Sequence, residues 1–262
     1  MAPGRRISGA IGAGLRRAGE TGPDGGACAM GGAVERRGQD GGPGGEHREG
    51  PRHYFDAAPA AASRPASVDL VLPDVHLRLG TDRGVFSADR VDLGTRVLLE
   101  SVPAPPAGGR LLDLGCGYGP VALAMAARAP RASVLGVDVN ARAVDLARRN
   151  AADNRLYNVD FHMVDANGSP AEDSDRSPDA LSPEGPFDAV WSNPPIRIGK
   201  PALHALLRTW LGRLAPGGAA HLVVQRNLGA DSLHRWLEQE AGLAADRAAS
   251  RAGYRVLRVQ AP

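Results

Sequence analysis

Two short runs hold the residues whose types and spacing could do chemistry. In the first, Asp113-Leu114-Gly115-Cys116-Gly117-Tyr118-Gly119, an acid stands two residues ahead of three alternate glycines. The apolar residues Leu111, Leu112 and Leu114 lead into it, and an alanine-rich run from Pro120 leads out. A strand, a glycine turn and a helix start in immediate succession let a ligand lie against bare backbone, facing helix N–H groups that have no partner of their own. That is a nucleotide-site geometry. The spacing G-x-G-x-G, with its acid at Asp113, departs from the dinucleotide pattern G-x-G-x-x-G and favours adenosylmethionine over NAD.

The second run is Asn193-Pro194-Pro195-Ile196, directly after the apolar stretch Phe187 to Trp191. Successive prolines fix φ at about −65° and donate no N–H, so the backbone before them is rigid and its carbonyls point outward. An amine conjugated to a ring or a carbonyl is a poor nucleophile. If the Asn193 side-chain oxygen and the Pro194 carbonyl accept its two hydrogens, its lone pair is aimed at a methyl donor. Catalysis of this kind is orientation by groups placed in advance, not titration of a base.

Further candidates lie at the ends of apolar runs. Asp138 closes Val134-Leu135-Gly136-Val137, 19 residues beyond Gly119, near the ~20-residue interval at which an acid meets ribose hydroxyls in such folds. Asp138 and Asn140 both precede a helix, so capping is the alternative role for each. Asp165 ends a third strand, at a place from which a side chain reaches an adenine amino group. The candidate cofactor-binding set is therefore Asp113, Gly115, Cys116, Gly117, Gly119, Asp138, Asn140, Asp165 and Asn193, and the catalytic set is Asn193, Pro194, Pro195 and Ile196. Lys200 is the only lysine among thirty-one basic residues. With Arg197 it is expected to contact substrate phosphate, and Phe86 to face the substrate.

The elements that must position these residues follow from periodicity. Strands are expected at 110–115, 133–138, 159–164, 187–191 and 219–225, with helices at 119–129, 140–153, 200–214 and 230–241, and a closing hairpin turns at Arg251-Ala252-Gly253. Regular αβ alternation implies a mostly parallel sheet of seven strands, Rossmann-like, with the last strand antiparallel. Ahead of it, alternation around Pro73-Asp74 predicts a β-hairpin, and helical spacing over 91–99 predicts a helix. Asn150 to Asn154 closes the 140–153 helix with residues that tolerate a left-handed cap. Residues 169–186, rich in Pro, Ser and acids, read as a mobile surface insertion.

Composition bounds the rest. Sixteen of the first 50 residues are Gly and large aliphatics are nearly absent there, so 1–52 reads as a disordered Gly/Arg-rich tail and 53–262 as one domain. Eight Arg against six acids in that tail account for the whole net charge of +2. Cys28 and Cys116 form neither a disulfide framework nor a metal set, which points to a reducing compartment and a cytoplasmic, metal-free protein. Arg5-Arg6 precedes an apolar run too broken by glycines for an export signal, and no run approaches a membrane span. A monomer is expected.

The acid with its glycines, followed by Asn-Pro-Pro, resembles class I adenosylmethionine-dependent methyltransferases that act on amino groups of adenine, guanine or glutamine. More narrowly, His53-Tyr54-Phe55, Gly84-Val85-Phe86-Ser87, Asp113 to Pro120 and Asn193 to Arg197 with Gly199-Lys200 resemble the methyltransferase small domain. That group includes ribosomal small-subunit RNA guanine-N2 methyltransferases. The resemblance covers about 53–262 and implies S-adenosyl-L-methionine as cofactor and small-subunit rRNA, or a ribosomal particle, as partner. Ile196 departs from it, standing where many relatives place an aromatic ring that stacks on the target base. Two alternatives stay open: methylation of a protein glutamine, and a module that binds adenosylmethionine or RNA without catalysis.

Overall fold

The computed structural model describes residues 62–165, 168–169 and 181–261. The tail, His53-Tyr54-Phe55 and 170–180 of the acidic stretch lie outside them. The described chain opens with an antiparallel hairpin, β1 (Ala66–Val71) and β2 (His76–Thr81), in register from Ala66 opposite Thr81 to Val71 opposite His76. Its alternation buries Val68, Leu70, Leu77 and Leu79 on one face. A turn then leads to α1 (Leu93–Ser101). This helix starts two residues later than its apolar periodicity suggests, because the Asp92 carboxylate takes the N-cap and accepts the Thr95 N–H at 3.1 Å.

The core sheet comprises β3 (Gly108–Leu114), β4 (Arg131–Asp138), β5 (Val159–Met163), β6 (Phe187–Ser192), β7 (Leu214–Gln225), β8 (Ala244–Arg251) and β9 (Tyr254–Gln260), in the spatial order β5-β4-β3-β6-β7-β9-β8. Neighbours from β5 to β7 run parallel, and β9, the last strand, is antiparallel to both β7 and β8. Helices α2 (Pro120–Arg128) and α3 (Ala141–Asp153) join α1 and the hairpin on one face, while α4 (Lys200–Leu211) and α5 (Ala230–Gln239) cover the other. Two apolar layers result. Val97, Leu123 and Val144 lie in the first, and Leu207, Trp210 and Leu237 in the second, all essentially removed from water.

Two local expectations shift. Helix α4 ends at Leu211, short of 214, because Leu214 already pairs with Phe187, so β7 extends back through Pro216-Gly217-Gly218 across a bulge. The left-handed residue after α3 is Arg155, at φ 57°, and not one of 150–154. Asn150 is instead a buried bridge: its Nδ2 donates to Gly80 O and Tyr118 O, and its Oδ1 accepts the Gly80 N–H. One side chain thereby ties the hairpin to the glycine turn. Between β5 and β6 the described residues contain no helix.

What matters for function is the order of strands. The chain winds outward from β3 to β5, then returns to the other side of β3 with β6 and β7, so the winding reverses between β3 and β6. Open α/β sheets bind ligands at the carboxyl ends of the strands flanking such a point. Leu114 and Ser192 are paired partners there. The glycine turn and the Asn-Pro-Pro turn consequently leave the sheet side by side.

Candidate active site

Between those two turns lies a cavity of about 330 Å³. Its wall includes Gly115, Cys116, Gly117, Asp113, Asp138 and Asn140 from the β3 and β4 ends, and Asn193 to Arg197 from the β6 end. Gly115 (φ 76°) and Gly117 (φ 55°) adopt left-handed backbone that disfavours side chains, and a Cβ on either would meet nothing within 4 Å. The empty space in front of them is the cavity itself. Gly119 (φ 95°) is different: it does not line the cavity, and a Cβ there would come to 3.2–3.3 Å from Leu123, Phe161 and Ala147. The expectation that all three glycines face the ligand is corrected at Gly119, which lets α2 pack closely against its neighbours.

This division of roles gives a direct test. Alanine at 117 or 119 loses stability from the left-handed φ, about 1 kcal/mol in each case. Gly119→Ala should lose a further ~1–3 kcal/mol by overpacking, read as a lower denaturation midpoint, with cofactor affinity nearly unchanged. Gly117→Ala should do the opposite, keeping the packing and weakening cofactor binding in calorimetry.

The acids hold the turn together. Asp138 Oδ2 accepts the Gly117 N–H at 2.8 Å and Oδ1 accepts the Asn140 N–H at 2.9 Å, so one carboxylate joins the glycine turn to the start of α3. Burial pushes its carboxyl up from the usual range. Asp113, 1% exposed, accepts the Ala122 N–H in the first turn of α2 at 2.9 Å. Burial, aided by the nearby Asp138 charge, pushes it up to about 8. Cys116 is buried with its thiol pushed up by the same causes and its Sγ 3.5 Å from Gly117 O, so it is a neutral filler and not a nucleophile.

The Asp113 shift carries a stability signature. The folded protein keeps this proton up to about pH 8 while the unfolded chain releases it near the ordinary aspartate value of 3.8. Between those values unfolding releases a proton, so stability falls as pH rises, by up to ~1.4 kcal/mol per unit from this group. Asp113→Asn retains an oxygen for the Ala122 N–H and has nothing to ionise. The pH dependence of unfolding between pH 5 and 8, measured without cofactor, should therefore be shallower in the variant, and superimposable profiles would contradict the assignment.

Asn140 contributes mainly structure: its Oδ1 accepts the Ala143 N–H as the N-cap of α3 and its Nδ2 donates to Gly84 O at 2.8 Å. This bond secures the Gly84–Ser87 turn that carries Phe86 to the cavity mouth, where Phe86 is 39% exposed. Two expected contacts lie elsewhere. Asp165 is absent from the cavity wall, because its N–H and Oδ1 both pair with Ser169 across a tight turn. Lys200 begins α4, exposed and outside the wall, whereas Arg197 lines it.

At the Asn-Pro-Pro turn, Asn193 Nδ2 donates to Asp92 Oδ2 at 2.8 Å and to Thr95 Oγ1 at 3.2 Å. No hydrogen bond engages its Oδ1 among the described residues, and Asn193 lines the cavity. The Pro194 carbonyl accepts the Ile196 N–H at 2.8 Å, an i→i+2 turn with Pro195 at φ −74°, ψ 74°, so one of its two lone pairs is already used. Pro195 and the half-buried Ile196 complete this wall, with Ile196 packed on the second apolar layer. Asp92, Thr95, Gln225, Leu228 and Tyr254 also line the cavity, and sequence reading missed all five. Only Asp92 left a signal there, as a cap-forming residue ahead of an apolar helix.

A doubly wound sheet with an acid-braced glycine cradle beyond β3 and an Asn-Pro-Pro turn beyond β6 defines an adenosylmethionine-dependent methyltransferase. The chain belongs to the methyltransferase small domain family, which it matches over residues 76–258. It is 33% identical over 187 residues to YbxB of Bacillus subtilis (strain 168), covering 71% of this chain and 88% of that one. It is 37% identical to ribosomal RNA small subunit methyltransferase C of Hahella chejuensis, over 63% of this chain and 44% of that protein. Identity to ribosomal RNA large subunit methyltransferase G of Streptomyces coelicolor is 34%, over 68% and 48%. The T. thermophilus 16S rRNA N2 methyltransferase (RsmC), solved with AdoMet and guanosine, superimposes with a TM-score of 0.61 at 26% identity, over 78% of this chain and 52% of that one. The chain thus spans about half the length of the relatives named for rRNA.

The residues present fit the cofactor. Two left-handed glycines open bare backbone toward a ligand, and the Asp138 carboxyl that braces them supplies an acceptor on the same wall. Bound there, adenosylmethionine supplies a methyl group on a cationic sulfur.

Proposed function

We propose that this enzyme methylates the exocyclic amine (N2) of a guanine in ribosomal RNA, with Asn193 orienting the amine. The observation that carries the reading is the Asn193 amide: its Nδ2 donates to Asp92 Oδ2 and Thr95 Oγ1, which leaves Oδ1 as the unused acceptor of a side chain on the cavity wall. A cavity that offers a hydrogen-bond acceptor suits a target bearing N–H. The resemblance to a guanosine-bound N2 methyltransferase supports guanine.

In this reading Gly115, Gly117 and Asp113 cradle the methionine part and Asp138 holds the ribose. Phe86 and Leu228, 39% and 44% exposed at the mouth, supply apolar faces for a base in place of the aromatic ring missing at Ile196. Stacking of this kind is worth ~1–3 kcal/mol per base. Arg197 and Lys200, both exposed, contact phosphate beyond the mouth. Among the described residues no helix is long and apolar enough to cross a membrane and no cluster could hold a metal. We place the enzyme in the cytoplasm as a monomer.

The decisive experiment is mass spectrometry of modified nucleosides in small-subunit rRNA from cells with and without the gene. Loss of N2-methylguanosine at one position, restored by adding enzyme and adenosylmethionine to the purified subunits, supports the reading. Unchanged RNA, with radiolabelled methyl transferred instead to a protein glutamine, would replace it.

A further inference from the structure

We infer that Asp92 is the positioning residue of the amine site: its carboxylate fixes which end of the Asn193 amide faces the substrate. The inference rests on the assignment of Asn193 as the amine's acceptor. An asparagine amide has a donating and an accepting end of nearly the same shape, and nothing in the Asn-Pro-Pro backbone chooses between them. A carboxylate only accepts. With Asp92 Oδ2 at 2.8 Å, the end turned toward it has to be the N–H2. The reverse orientation would set carbonyl oxygen against carboxylate and present two donors to an amine that is itself a donor.

The carboxylate is well anchored for this purpose. The same Oδ2 accepts the Thr95 N–H as the N-cap of α1, and Thr95, 4% exposed, places its Oγ1 3.2 Å from Asn193 Nδ2. Tyr254, in the last strand, packs against the same helix start, where a Cβ on Gly94 would lie 2.8 Å from its ring. Burial first, and then the Asp92 charge, push the phenols of Tyr118 and Tyr254 up. Asp92 thus lies on the cavity wall beside the Asn193 amide and close to both tyrosines. Asp92 and Asn193 are 101 residues apart in sequence. The arrangement gives the segment that precedes the core sheet a function: it brings to the site a residue that the core alone does not supply.

Asp92→Ser separates this role from helix capping, because serine caps helices well but is short and uncharged. Turnover on small ribosomal subunits, adenosylmethionine affinity and thermal midpoint would be measured for Asp92→Ser, Asn193→Ala and the double variant. We expect Asp92→Ser to keep the affinity within about twofold and to lower kcat about 10–100-fold. In the Asn193→Ala background the same change should lower kcat no more than about twofold, since two residues acting through one atom are not additive. Asp92→Asn, whose oxygen still caps and still accepts from Nδ2, should recover most of the lost turnover. A full additional loss in the Asn193→Ala background would overturn the inference, as would wild-type kcat in Asp92→Ser. Should Asp92→Ser fail to fold, Thr95→Val, which removes the second acceptor of Nδ2, must show the same non-additivity. Failure of the underlying assignment looks different: Asn193→Ala alone would then retain wild-type turnover.

Discussion

Replacing Asn193 with alanine lowers kcat roughly 10²–10³-fold, ~2.7–4 kcal/mol in the barrier, and leaves the dissociation constant for adenosylmethionine within about twofold. The separation follows from where the residue stands. Asn193 leaves the sheet beyond β6, whereas the cradle of Gly115, Gly117 and Asp138 belongs to the ends of β3 and β4 and keeps its own hydrogen bonds without it. In the proposed arrangement the lost oxygen meets only the amine. Pro194 does not substitute for it: one lone pair of its carbonyl already accepts the Ile196 N–H, and the other can take only one of the amine's two hydrogens. Alanine also leaves Asp92 and Thr95 without their shared donor, so a modest loss of stability accompanies the loss of rate, and a thermal midpoint measured alongside separates the two. Wild-type turnover, or lost cofactor affinity with kcat intact at saturation, would show that the Asn-Pro-Pro turn does something else.

The parts of this architecture that were legible in sequence are those where one local signal fixes one local structure. Three alternate glycines, two prolines after an apolar run and period-two alternation around Pro73-Asp74 each demand a particular backbone, and the structure has a turn, a turn and a hairpin there. What escaped were pairings across long separations. Asp92 falls within the helix expected over 91–99 and is instead its N-cap; that its other duty lies beside Asn193 depends on the fold bringing the two together. Asp165 shows the converse. Its position at a strand end suggests a ligand contact, but a turn to Ser169 supplies a near partner for one carboxylate oxygen, and the residue is absent from the cavity wall. Gly119 belongs to the glycine pattern by spacing, yet only the packed neighbours Leu123, Phe161 and Ala147 show that its lack of a side chain serves the core.

Asp138→Ala produces the mirror image of the Asn193 variant: affinity for adenosylmethionine falls about 10–100-fold, while kcat at saturating cofactor stays within a few-fold of wild type. Two losses combine. A carboxylate that accepts from ribose hydroxyls contributes ~1.5–3 kcal/mol through charge-assisted bonds. Its removal also leaves the Gly117 and Asn140 N–H groups without their acceptor, so the cradle relaxes away from the conformation that faces the cavity. Asparagine is not a mild replacement here. Both carboxylate oxygens accept from backbone N–H groups, and an amide can satisfy one while its N–H2 opposes the other, so Asp138→Asn should lose affinity nearly as far as alanine. Titration calorimetry with adenosylmethionine on both variants, alongside turnover at saturation, reads the effect. An Asp138→Asn enzyme with wild-type affinity would mean that the two backbone bonds, and with them the joint between the glycine turn and α3, do not shape the cofactor site.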